Sequence, residues 1–76
     1  MKLNVSSYMQ NGSHRYQELK KVCGEHSYAI EINGEIGWED NLIINELPAL
    51  CKLHGSNMAY IYSKQSDELK VWVNLA

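Results

Sequence analysis

Tyr28-Ala29-Ile30-Glu31-Ile32-Asn33-Gly34-Glu35-Ile36-Gly37-Trp38 is the stretch whose reading decides the fold. Tyr28, Ile30 and Ile32 alternate with Ala29 and Glu31, which is the period of a half-buried strand. Asn33-Gly34 follows, and both residues accept the positive φ angles of a two-residue hairpin turn. A return strand over Glu35–Trp38 is therefore expected.

Toward the N-terminus, Tyr16, Leu19, Val22 and Cys23 recur at helical spacing, with Arg15, Glu18 and Lys21 on the other faces. Asn11-Gly12-Ser13 has turn chemistry, Ser13 is a competent helix cap, and Gly24 is a stop signal. Ahead of that helix, Leu3, Val5 and Ser7 alternate with Lys2, Asn4 and Ser6 as a weak strand.

Toward the C-terminus, Leu47, Leu50, Cys51 and His54 form one helical stripe that Gly55 ends. Pro48 fits this helix if Asn45 caps it and Pro48 lies in the first turn. Leu42-Ile43-Ile44 reads as an extended apolar approach. Met58–Tyr62 alternates again, with Tyr60 and Tyr62 on one face and Ala59 and Ile61 on the other. Lys64–Asp67 is turn-like. Leu69, Val71, Val73 and Leu75 then alternate with Lys70, Trp72 and Asn74. The last two strands should pair, with Tyr and Trp on their polar-facing side. The expected order is β-α-β-β-α-β-β. It describes an α+β fold with a single-layer mixed or antiparallel sheet and two helices, in one compact domain over residues 1–76.

Length and composition narrow the function classes. A chain of 76 residues buries only roughly 60% of its unfolded surface on folding, leaving little room for an enclosed substrate cavity. Hydrophobic content of 45% and charged content of 21% are ordinary for a globular fold. No apolar run approaches the roughly 20 residues of a membrane span. Met1-Lys2-Leu3-Asn4-Val5 has no signal-peptide character, so a cytoplasmic location with reduced cysteines is expected. The acidic balance argues against direct nucleic-acid binding, which favours a basic face.

The charge is unevenly placed. Residues 27–51 hold five carboxylates, Glu31, Glu35, Glu39, Asp40 and Glu46, and no Lys or Arg. The net charge of -2 therefore hides an acidic middle and basic flanks. A one-sign patch steers and selects a partner of opposite sign. Trp38 sits inside the block, and an exposed Trp rimmed by carboxylates has the make-up of an interface hot spot. No calcium loop spacing is present among these acids.

A second constellation is an internal echo. Glu18-Leu19-Lys20-Lys21-Val22-Cys23-Gly24-Glu25-His26 parallels Glu46-Leu47-Pro48-Ala49-Leu50-Cys51-Lys52-Leu53-His54. Both read Glu-Leu-x-x-apolar-Cys-x-x-His. If both helices pack on one sheet face, Cys23, His26, Cys51 and His54 fall at one end and offer a tetrahedral zinc donor set. The alternative is two buried cysteines with histidines near helix C-termini, where positive charge is favoured. A nucleophilic cysteine wants a helix N-terminus or a basic neighbourhood, and these lie toward C-terminal ends. The glycines are scattered and form no phosphate loop.

Asn11-Gly12-Ser13-His14-Arg15, between a strand and a helix, resembles the phosphoacceptor region of the HPr phosphocarriers. That resemblance implies that His14 takes a phosphoryl group and Arg15 assists; Tyr16 and Gln17 depart from the family's pattern. Leu47-Pro48-Ala49, followed by a helix and a closing hairpin, resembles the TusA-like sulfur carriers. Met9-Gln10-Asn11 stands where that family has its Cys-Pro pair.

The leading expectation is a small non-catalytic interaction protein without cofactor or metal. Its acidic strip of Glu31, Glu35, Trp38, Glu39, Asp40 and Glu46 would dock on the basic, nucleic-acid-binding surface of a larger protein. Small phage-encoded inhibitors such as anti-CRISPR proteins act this way as a class. The alternatives are an HPr-like phosphocarrier or accessory protein using His14, and a zinc-stabilised Cys-x-x-His domain. Homodimerisation is a further option if Leu69–Leu75 lies at a sheet edge.

Overall fold

The computed structural model describes residues 14–74 and the backbone of residues 2–5. The expected Asn11-Gly12-Ser13 turn and Ser13 cap lie outside the described residues.

The central hairpin forms as the sequence implies. Strands β2 (Tyr28–Ile32) and β3 (Glu35–Glu39) pair antiparallel, with Ile32 opposite Glu35. Asn33 and Gly34 adopt φ angles of 50° and 86°, the conformation of a type I′ turn, whose twist matches that of the strands. The return strand runs one residue beyond its expected end.

Strands β4 (Met58–Ser63) and β5 (Glu68–Val73) form the second hairpin, and β1 (Lys2–Val5) pairs with β5. All pairings are antiparallel, in the order β1-β5-β4-β2-β3. The last strand is thus inside the sheet, which removes it as an edge for self-association. β2 lies between β3 and β4, so β3 and β4 run parallel and the chain must cross over β2 to join them.

Helix α1 (His14–Cys23) and helix α2 (Leu47–Leu53) take opposite faces of the sheet. Tyr16, Leu19 and Cys23 of α1 pack on Ala29, Tyr62, Leu69 and Val71. Leu47 and Cys51 of α2 pack with Ile30, Ile32, Ala59, Ile61 and Trp72. Each set has the period-two spacing of one sheet face. Both faces are covered, so the last hairpin has no polar side in the sheet centre, and Tyr60 and Tyr62 face α1 while Trp72 faces α2 instead of sharing one side as expected. Trp72 is fully buried, and its Nε1 finds no acceptor among the described residues.

α2 begins later than expected. A 3-10 turn over Ile44–Glu46 precedes it, so Asn45 is not its cap, while Pro48 does lie in the first turn. The helix is short, and Leu50, expected on the core stripe, is 37% exposed. Gly24 and Gly55 fall just beyond the two helices.

Among the described residues, no helix is long and apolar enough to cross a membrane.

Candidate docking surface on the edge strand

β3 ends the sheet, and among the described residues nothing pairs with its outer side. A two-residue turn makes Ile32 and Glu35 a hydrogen-bonded pair, and alternation along the ladder repeats this at Ile30–Gly37 and Tyr28–Glu39. The backbone N–H and C=O groups of Ile36 and Trp38 therefore point away from the sheet.

The side chains of β3 sort by face. Ile36 and Trp38 share the α1 side with Ala29 and Glu31, while Glu35, Gly37 and Glu39 share the α2 side with Ile30 and Ile32. Between β3 and α2 runs an open groove of about 260 Å³, whose lining includes Ile30, Ile32, Leu50, Glu35, Glu39 and His54. A Cβ placed on Gly37 would meet nothing within 4 Å, so the groove is open at its middle.

Trp38 is 54% exposed yet held in place. The His26 ring stacks on it, with centroids 3.6 Å apart and planes 6° from parallel. His26 Nδ1 lies 3.1 and 3.2 Å from the two oxygens of Asp40. A carboxylate only accepts, so Nδ1 carries the proton in this contact. On the other sheet face, His54 Nδ1 donates to Glu35 at 2.7 Å, and Asn33 Nδ2 donates to the His54 carbonyl at 2.9 Å. The edge strand is gripped from both sides by the histidine that follows each helix.

This grip accounts for the histidines of the repeated Cys-x-x-His pattern in a way the sequence did not suggest. The condition for a shared zinc site, both helices on one face, is not met. Cys23 and Cys51 are buried on opposite faces of the sheet. Among the described residues, no three His, Cys, Asp or Glu side chains gather as a metal donor set. Cys23 donates its S–H to the His26 carbonyl at 3.0 Å. Burial pushes both thiols above their ordinary pKa, the opposite of thiolate activation.

The six residues of the acidic strip do not act as one group. Glu31 is withdrawn: it pairs with Arg15 at 3.1 Å, and the Arg15 guanidinium lies 3.9 Å from the Tyr60 ring centroid. Glu35 and Asp40 have histidine partners. Glu39 follows Trp38 on the open edge, and Glu46 is exposed in the turn before α2. Glu35, Trp38, Glu39 and Asp40 thus remain together along the edge strand, Trp38 on its α1 side and Glu35 and Glu39 on its α2 side. The sequence missed the apolar exposure elsewhere on the surface: Leu53 is 78% and Ile43 is 52% exposed. His14 is exposed at the start of α1, 3.5 Å from Glu18. The Arg15 expected to assist it is engaged elsewhere.

Comparison of the chain with protein-family models, with curated proteins and with solved structures found no match.

Proposed function

We propose that this chain is a small non-catalytic interaction protein that docks the edge-strand cluster of Glu35, Trp38, Glu39 and Asp40 on a basic surface of a larger protein. The supporting observation is Trp38, an exposed aromatic fixed by its stack on His26, which bonds Asp40, on a strand whose other face carries Glu35 and Glu39. An exposed, pre-ordered aromatic contributes contact area with little entropy loss on binding, and a charged rim selects the partner. The partner class that fits is a protein whose basic groove handles nucleic acid, so docking would occlude that groove competitively. This is the mode of the anti-CRISPR class, taken here as analogy only. Free, buried cysteines suit a reducing cytoplasm as the working compartment.

The test is a low-salt pull-down from lysate of the source organism, comparing wild type with a Glu35→Lys, Glu39→Lys, Asp40→Lys variant. The expected result is a basic nucleic-acid-handling protein held by wild type alone, released by high salt and displaced by added duplex DNA. Capture of the same proteins by both forms, or binding indifferent to salt, would overturn the reading.

A further inference from the structure

We infer that β3 takes its partner by strand addition: its open edge receives an extended segment of sequence type basic-x-large apolar-x-basic. This deepens the docking reading above and rests on it.

Three observations carry the inference. The outward N–H and C=O groups of Ile36 and Trp38 form a half-ladder unused among the described residues, the template on which an extended peptide adds a strand. The edge is guarded only by charge. β3 contains Glu35 and Glu39 but no Lys or Pro, and its register with β2 continues without a bulge from Ile32–Glu35 to Tyr28–Glu39. Finally, the α2 side of the strand presents Glu35, Gly37 and Glu39 in succession, with apolar groove beneath the glycine.

That succession selects the occupant. An incoming strand places alternate side chains beside Glu35, Gly37 and Glu39. Lys or Arg suits the two outer positions. A large apolar side chain at the middle one can lie over Gly37 toward Ile30, Ile32 and Leu50. Residues on the other face meet Ile36 and Trp38 and are favoured when apolar. A second copy of this chain centred on Gly37 is the wrong occupant. Antiparallel pairing of two β3 strands about Gly37 sets Glu35 of one against Glu39 of the other, twice, and opposed like charges are destabilising. The glutamates thus guard the edge against self-pairing while admitting a basic strand.

The test uses a capped synthetic peptide with the core Lys-Val-Phe-Val-Lys and a copy N-methylated at both valines. Binding to the intact protein is followed by titration calorimetry and by amide hydrogen exchange. The expected result is protection of the Ile36 and Trp38 amides on binding. N-methylation should weaken binding by about tenfold or more, as should Ile36→Pro, which removes an outward donor without breaking a β2 bond. The methylated peptide keeps the test decisive if the proline variant does not fold. Equal binding of both peptides, with loss only in Glu35→Lys and Glu39→Lys, would overturn strand addition and leave charge-driven docking standing. No binding of the unmethylated peptide, or concentration-dependent dimerisation lost in Ile36→Pro, would also overturn it. The lysate experiment judges the docking reading separately.

Discussion

The imidazole of His26 lies flat against the indole of Trp38, 3.6 Å between centroids. It joins the turn after the first helix to the far end of the edge strand. An exposed tryptophan without such support would sample several rotamers, and ordering it would cost entropy at each binding event. Here the protein has met that cost on folding.

Trp38→Ala should therefore separate stability from binding. The side chain is 54% exposed, so chemical denaturation should show only the loss of its stack on His26 and modest burial, about 1–2 kcal/mol. Partner affinity should fall by about 2 kcal/mol or more, as for a hot spot. His26→Ala should show the intermediate pattern: a loss of about 0.5–1.5 kcal/mol in stability and weaker binding with Trp38 still present.

The two glycines of the hairpin should respond in opposite directions. Gly34 sits at φ 86°, where an added Cβ is strained, so Gly34→Ala should lower stability by about 1 kcal/mol. Gly37 carries no such constraint, and a Cβ there meets nothing within 4 Å. Gly37→Val should hold or raise stability by up to about 1 kcal/mol, because a branched side chain suits a strand. Thermal denaturation of both variants checks this. The same Gly37→Val protein should bind its partner less well, since the groove is then filled.

Leucine truncations should report burial. Leu19 is fully buried on the inner face of α1 and Leu53 is 78% exposed. Leu19→Ala should cost about 2–5 kcal/mol, a large fraction of what a small domain possesses. Leu53→Ala should stay within about 0.5 kcal/mol of wild type. Urea midpoints of the two variants decide it.

The acid limb of stability should run through Asp67. Its carboxylate accepts hydrogen bonds from Tyr16 at 2.5 Å and Tyr62 at 2.7 Å, and these hold its pKa below the ordinary 3.8. A lowered folded-state pKa contributes stability above pH 3.8, lost as pH falls through the folded-state value. The hydrogen bond to Asp67, with burial, raises the pKa of Tyr16; burial first, then that hydrogen bond, raises Tyr62. Their contribution is present below pH 10.0 and lost as pH climbs beyond it. Asp67→Asn should flatten both limbs in denaturation curves recorded across pH. Unchanged limbs would show that other groups control them.

Much of the architecture was legible in the chain. Asn33-Gly34 set the central hairpin, period-two alternation marked the strands, and Gly24 and Gly55 marked the helix ends. These are local signals, carried by φ preferences and side-chain direction within a few residues. Alternation also separated Tyr60 and Tyr62 from Ala59 and Ile61. It did not show that Trp72 would be buried, because an alternating strand does not reveal whether its second face is covered.

The candidate site was legible only in outline. The acidic block and Trp38 stood out by composition, but Glu31 looked equivalent to Glu35 until Arg15 was found against it. The repeated Cys-x-x-His pattern suggested a metal site; the histidines instead contact Asp40 and Glu35 across separations of 14 and 19 residues. By itself, the sequence determined which segments are strands and helices, where the chain turns, and which residues within one strand share a face, because those follow from local backbone geometry. Only the tertiary structure decided that the helices cover opposite faces, that β1 closes off the last strand, and that β3 remains the open edge. Strand order and helix placement depend on which apolar faces bury one another across the whole chain, and no local pattern encodes that choice.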